Sequence, residues 1–468
     1  MLILSVEFLG FILITLLIYF LLPGKIQNAF LLAVSWYFCF TWSPRFLLVL
    51  VFITAVNFAL GFFLGRESKI KKLILWAGIL TNAGLLSWFL IGAPWLESRI
   101  SSIEELRRAF LYIVPPVGVS YFTLNGISYL IDISLRIAKP TTNIIDFSLY
   151  LAYFPKLVSG PLERARKFLP LLAEKRIVDN ARIASSLTLI LIGLTRAVIF
   201  GGVIAIYNPI LVLAEPVKHG APALLWAMLL SMFMLYNQFA GYTDIARGVS
   251  GLYGIPLPRN FMAPFFFKDF SDFWQRWHIS LSQWLRDYIY MPISRAFLRR
   301  NPSRTNIPNL IIPSLATMLV SGFWHGATPN FIVWGFIMGV LIVIENIRAL
   351  YRPAVPQESR PAWQRFSGTV SLILIMMVAI APFQMDLKNA IVYYRQLLLG
   401  WEWQPLHLVP GIIIPLSLTL DWLQSRSNDE TIFQKWPVWA QVALAVSVTI
   451  GAMIVQQLQS APPLFVYP

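Results

Sequence analysis

Cysteine occurs once in 468 residues, at position 39, and acidic residues number only 22. A single thiol excludes an internal disulfide and any zinc site built from cysteine pairs, and its place in an apolar run marks Cys39 as a small buried side chain. Charged residues of both signs make up just 13% of the chain. No HExxH, Walker A, strand-borne GxGxxG or GxSxG pattern is present, which removes the zinc-peptidase, nucleotide-binding and self-contained serine-hydrolase readings. Nothing in the sequence argues for strands, an internal repeat or a Pro- or Ser-rich linker.

Hydrophobic residues, by contrast, supply 57% of the chain, with a mean hydropathy of +0.67. One water-soluble core cannot enclose that much apolar side chain, so the membrane is the solvent. Runs of about 20 apolar residues suffice to cross it. Such windows fall near 3–22, 28–42, 46–64, 73–90, 109–131, 183–206, 223–245, 310–324, 331–347, 370–383, 406–423 and 438–456. The first has no basic leader or small-x-small cleavage site and reads as a helix rather than a signal peptide. The expectation is an all-α polytopic membrane protein, one domain over 1–468, with about 11–13 transmembrane or re-entrant helices. Lys and Arg outnumber Asp and Glu 37 to 22, for a formal net charge of +15. Their clustering in the breaks at 66–72, 136–139, 164–182, 295–304 and 348–365 fits cytoplasmic loops of a multi-pass protein better than nucleic-acid binding. Helix counting between these breaks requires 147–160 to dip in and return on one side, a re-entrant course.

Between 259 and 304 the chain is least membrane-like. Phe273, Trp277, Leu281 and Trp284 recur at helical spacing while Arg276, Gln283, Arg286 and Asp287 take other faces, which predicts one amphipathic helix, with Asp272 and Arg276 paired at i, i+4. That pattern explains the aromatics and charges but not His278. Of the four histidines, His219 and His407 have no polar residues gathered around them and read as loop or interfacial groups. His325 lies in LVSGFWHGATPNFIVW, apolar on both flanks. An ionisable group at such depth is a functional hypothesis by default, and a neutral imidazole there would serve as a base. Gly326 beside it leaves room for a substrate to approach. Position alone leaves a second reading open, in which His325 hydrogen-bonds a carbonyl or faces interfacial water. Asn125, Asp132, Asn237, Gln238 and Asp244 are also polar residues in apolar surroundings, and Asp244 with Arg247 is spaced to neutralise itself. Gly61 and Gly65 form a GxxxG suited to close helix packing.

The segments GISYLIDI, FPKLVSGPLERARKFLP, FAGYTDIARGVSGLYGIPLPRNF, DFWQRWHISLSQWLRDYIYMPI and FWHGA, in this order, resemble the membrane-bound O-acyltransferases. The bacterial branches acting in alginate O-acetylation and teichoic acid D-alanylation are the nearest in pattern. The resemblance implies a helical core pierced by a tunnel, with core motifs over roughly 110–350, in the inner membrane. It implies that His325, in FWHGA, is catalytic and that His278, in RWHISLS, is the second characteristic histidine. Trp274, Arg276, Trp277, Arg286 and Asp287 would line the cytosolic wall, with Trp324, Asp244 and Asn125 completing the substrate path. No bound cofactor or metal is implied. The donor would be acetyl-CoA or another acyl thioester, such as an acyl carrier protein, and the acetyl group would go to an extracytoplasmic polysaccharide, with an extracytoplasmic acetyltransferase as partner. The basic loops would attract such a donor and anionic membrane lipids alike. Departing from the Gly- and Asn-rich alginate pattern, MPISRAFLRRNPSRTN is basic, as in the D-alanylation branch. D-alanyl transfer from a carrier protein is therefore the enzymatic alternative, and a transporter the non-enzymatic one.

Overall fold

The structure is a computed structural model that describes residues 5–100, 118–158, 160–176, 178–303, 305–351, 361–406 and 408–458. The predicted helix at 109–131 falls partly outside these, as do His407 and much of the 348–365 break. All regular elements among the described residues are helices. Seven are long and apolar enough to cross a membrane, among them Pro44–Leu64, Asn180–Ile206, Ala221–Leu252, Ile307–His325 and Pro329–Tyr351, and two shorter apolar helices cover Glu7–Leu21 and Trp363–Ala379. The chain is a multi-pass membrane protein. Leu9, Leu13, Leu17, Val442 and Ile450 are large apolar residues left uncovered by protein, as a lipid-facing surface requires. The described residues form two compact units, one drawn from 5–190 and 245–258, the other from 191–244 and 259–458.

In the first unit, polar side chains hold helices together where lipid offers no hydrophobic drive for association. Asn57 and Asn82 exchange amide hydrogen bonds of 3.1 and 2.9 Å between the helices Pro44–Leu64 and Lys71–Ser87. A Cβ on Gly126 of Val119–Ser134 would lie 2.6 Å from Asn82 Oδ1, so the third helix packs directly onto that pair. The GxxxG glycines are used as expected for close packing, since a Cβ on Gly61 would strike the Tyr129 ring and one on Gly65 would strike Pro140. Segment 147–160 is two short helices, Ile144–Ala152 and Phe154–Leu157, buried by protein almost throughout. Asn143 caps the first by accepting from the N–H groups of Ile145 and Asp146. Neither is long enough to cross a bilayer, and their burial supplies the protein lining that non-spanning backbone requires.

In the second unit, Ile307–His325 and Pro329–Tyr351 form a tight helical hairpin. Its closeness rests on two glycines. A Cβ on Gly322 would sit 2.4 Å from the Phe331 carbonyl oxygen, and one on Gly335 would sit 2.4 Å from that of Met318. Backbone-to-backbone approach of this kind is what small residues permit.

Candidate active site

The amphipathic helix predicted over 273–284 is broken. Phe270–Arg276 ends, His278 takes a left-handed conformation with φ 43° and ψ 53°, and a new helix, Ile279–Leu285, begins. A left-handed histidine is uncommon and needs surroundings that hold it. Asn260 provides them. Its Oδ1 accepts from the Ser280 backbone N–H at 3.1 Å and from Ser280 Oγ at 2.9 Å, while the Ile279 N–H donates to the Asn260 carbonyl at 2.8 Å. The same oxygen lies 3.3 Å from His278 Nδ1. A backbone N–H can only donate, so the Asn260 atom facing it is the oxygen, and His278 Nδ1 must therefore carry the proton. The lone pair then resides on Nε2. His278 is 3% exposed, with its ring edge-on to Phe239 at 4.9 Å and tilted to Phe261 at 6.5 Å. Burial, aided by the neighbouring charge that His325 would carry, pushes its pKa down to about 3, so it is neutral at working pH. The i, i+4 pairing does form, Arg276 Nε donating to Asp272 Oδ2 at 2.9 Å.

His325 is the last residue of its helix. Four aromatic rings surround the imidazole: Trp324 at 4.6 Å, Phe383 at 5.0 Å, Trp334 at 5.2 Å and Phe331 at 6.3 Å between centroids. His325 is half-buried as a residue, and among the described residues its ring has no hydrogen-bond partner. The carbonyl-bonded reading of His325 thus finds no carbonyl. Gly326, in contrast, does not leave room for a substrate. A Cβ there would lie 2.5 Å from Phe331, so the missing side chain admits the aromatic ring instead.

Of the other predicted residues, Trp324 meets this imidazole directly. Trp324 stands against both histidines, 6.1 Å from His278 and 4.6 Å from His325. Trp274 is edge-on to Trp334 at 6.1 Å, and Trp277 stacks on Phe273 at 5.6 Å and meets Tyr236 at 6.0 Å. Arg286, largely exposed, pairs with its neighbour Asp287 at 3.0 Å. Asp244 lines a separate polar pocket with Arg196, Tyr236, Arg259, Gln424 and Glu430. Arg247 donates to the Leu257 carbonyl at 3.3 Å. Asn125 lies buried in the first unit, where its backbone carbonyl accepts from Ser128 Oγ at 2.9 Å. His219 bonds Gln404 in a loop. No group of three or more His, Cys, Asp or Glu side chains suited to a metal occurs among the described residues.

Sequence reasoning missed Asn260, Phe331, Trp334 and Phe383. Asn260 lay within a quoted motif, one residue past Arg259, and its amide type was the available signal. The three aromatics carry no local mark, because each reaches His325 only through the hairpin or through the short helix Ala381–Gln384, which Asn330 Nδ2 ties down by donating to the Pro382 carbonyl at 3.0 Å.

Comparison with known proteins matches residues 116–383 to the membrane-bound O-acyltransferase family, a stretch that contains both histidines and all four rings. A probable alginate O-acetylase of Azotobacter vinelandii is 31% identical over 352 residues, covering 74% of this chain and 68% of that protein. A peptidoglycan O-acetyltransferase of Helicobacter pylori is 28% identical over 366 residues, with 70% and 67% covered. A teichoic acid D-alanyltransferase of Bacillus subtilis is 30% identical over 239 residues, 49% of this chain and 58% of that one.

Proposed function

This chain belongs to the membrane-bound O-acyltransferase family, and on that premise we propose that it moves an acetyl group from a cytosolic thioester to a hydroxyl beyond the inner membrane, with His325 as the base. The observation that carries the reading is the environment of His325, an imidazole in an aromatic cage with no hydrogen-bond partner among the described residues. A base held free of competing bonds is ready for a substrate proton. Beside it His278 is fixed by Asn260 as the Nδ1–H tautomer.

In this reaction His325 takes the proton of the acceptor hydroxyl as its oxygen bonds to the thioester carbonyl carbon. The carbonyl becomes a tetrahedral oxyanion. When it collapses, the C–S bond breaks and the imidazolium returns its proton to the departing thiolate. Neither a metal nor a covalent enzyme intermediate is required. Acetyl-CoA is the donor, and the acceptor is an extracytoplasmic polysaccharide or the side chain of a partner acetyltransferase that completes the transfer. The H. pylori and A. vinelandii relatives, named for O-acetyl chemistry, support acetyl over other acyl groups.

One observation favours D-alanyl transfer instead. The helix Met291–Arg300 ends in Arg299 and Arg300 and carries Arg295, a basic surface suited to an acidic carrier protein. Vesicles containing the full chain separate the readings. Labelled acetyl-CoA should give transfer, and His325→Ala should lower it by about 10²–10⁴-fold without altering insertion or the melting temperature. Full activity in that variant would remove His325 from the chemistry. Transfer only from a D-alanyl carrier protein would favour the alternative, and uptake of an unmodified solute would favour a transporter.

A further inference from the structure

Around His325 stand donors with no acceptors among the described residues. The indole N–H groups of Trp274, Trp324 and Trp334 and the side-chain amide nitrogen of Gln384 are all buried, and none has a hydrogen-bond partner among the described residues. Buried donors are nearly always bonded, so orphans on two rings that touch the His325 imidazole, with Trp274 packed on one of them, call for a cause. Packing alone does not supply it, because a phenylalanine would fill much of an indole's space without stranding an N–H.

Trp334 is the best placed of the four. It is 3% exposed, and its ring is perpendicular to the His325 imidazole, at 87° and 5.2 Å. Trp274 and Phe383 pack against its faces and edges at 6.1 and 4.9 Å, which fixes the ring without offering an acceptor. Its helix is held by the Gly322–Gly335 approach, so the indole cannot drift relative to His325. A rigid donor in a site shielded from water acts most strongly on charge that develops during reaction. Trp324 precedes His325 on the same helix and is more exposed, so its orientation is less strictly held.

We propose that the indole N–H of Trp334 is a catalytic hydrogen-bond donor to the acyl carbonyl oxygen, stabilising the oxyanion formed as the His325-activated hydroxyl adds to the thioester. The proposal rests on the acyl-transfer reading above. The C=O π electrons move onto oxygen as the new C–O bond forms, Trp334 N–H donates to that oxygen, and the electrons return when the C–S bond breaks. Trp334 itself neither gains nor loses a proton.

The test uses the full-length chain in vesicles with labelled acetyl-CoA and a hydroxyl acceptor. Trp334→Phe removes the donor. Because a smaller ring could also loosen the hairpin, a second variant carries 3-benzothienylalanine at position 334, which retains the fused-ring shape and replaces N–H by sulfur. The same analogue at position 324 serves as comparison. Expected is a fall in kcat of about 10²–10³-fold for both Trp334 variants, with KM for acetyl-CoA little changed and the analogue's melting temperature as in the parent. A benzothienyl variant at 334 with parental kcat overturns the proposal, as does a loss confined to position 324. If His325→Ala is inactive while the 334 analogue is fully active, the donor assignment fails and the acyl-transfer reading stands. If the parent protein transfers no acyl group from any thioester, both fail together.

Discussion

Two clusters in the second unit carry buried polar groups and are finished in opposite ways. In one, Arg196 donates through Nη2 to Asp421 Oδ1 and to Gln424 Oε1 at 3.1 Å, and through Nη1 to the Tyr236 hydroxyl at 3.2 Å. Tyr236 in turn donates to both Asp421 oxygens, at 2.8 and 2.9 Å, and Gln424 passes its own amide N–H to the Glu430 carbonyl at 2.8 Å. Only Arg196 Nε lacks a partner among the described residues. The other cluster, around His325, is a wall of aromatic rings whose indole N–H groups have no acceptor among the described residues. A charge inside a membrane protein must be paired, and the first cluster does that for a helix bundle. The second leaves hydrogen-bonding capacity unused, which suits the substrate-completed site proposed above. Satisfied polar burial serves architecture in the first cluster, and in the proposed reaction the unsatisfied donors of the second serve chemistry.

Asp421→Ala should expose the difference most strongly. It leaves Arg196 buried without its counter-charge, and breaking one side of such a pair costs about 3–5 kcal/mol. The expected result is a large drop in melting temperature in detergent, with kcat and KM of the protein that remains folded unchanged. A variant of parental stability that had lost transfer activity would turn the first cluster into part of the site and break the contrast.

Asn260 belongs to both kinds of cluster and sharpens the boundary between them. Asn260→Ala removes the oxygen that serves the Ser280 N–H, the Ser280 hydroxyl and His278 Nδ1. An unsatisfied buried donor costs about 1–3 kcal/mol. Because the His278 tautomer is also released, kcat should fall while KM holds. Asn260→Asp keeps an acceptor oxygen and should recover more of both quantities than alanine does. Equal kcat in Asn260→Ala and parent would show that the His278 tautomer has no bearing on transfer.

Much of this was legible in sequence, and the exceptions share a cause. Hydropathy alone revealed the helical membrane class, and the cost of an ionisable group in an apolar run singled out His325. The Asp272–Arg276 pair followed from helical spacing and formed as read. The bend at His278 did not follow, because periodicity across 273–284 is unbroken in the sequence. What interrupts it is Asn260, 18 residues earlier, whose one oxygen gathers Ser280 and His278. Gly326 was misread for the same reason, since Phe331 fills its space only once the hairpin closes. Trp334 carries no signal at all until its N–H is seen to lack an acceptor. Local rules find residues that are costly where they stand, and they miss residues made costly by a neighbour.

A third buried group tests whether every orphaned donor marks a site. Lys156, in the first unit, is 3% exposed, and its Nζ has no hydrogen-bond partner among the described residues. Yet it lies 4.2 Å from the Tyr150 ring centre and 4.1 Å from that of Phe168, so two aromatic faces take the place of an acceptor. That compensation is partial. Burial pushes the Lys156 pKa down to about 7, even though Glu163 nearby acts to raise it. Unfolded, the amine titrates at about 10.4. Below pH 7 both states hold the proton and the full cost of burying it is present. Above pH 7 the folded protein releases the proton while the unfolded chain keeps it, so stability rises with pH, by about 1 kcal/mol from pH 7 to 8. The melting temperature of the parent should therefore climb over that interval, and Lys156→Met, which removes the titrating group, should flatten the climb without lowering acyl transfer. If the methionine variant kept the slope, the cost of burying Lys156 would lie elsewhere. If it lost transfer, an orphaned donor in the first unit would have to be counted with those around His325.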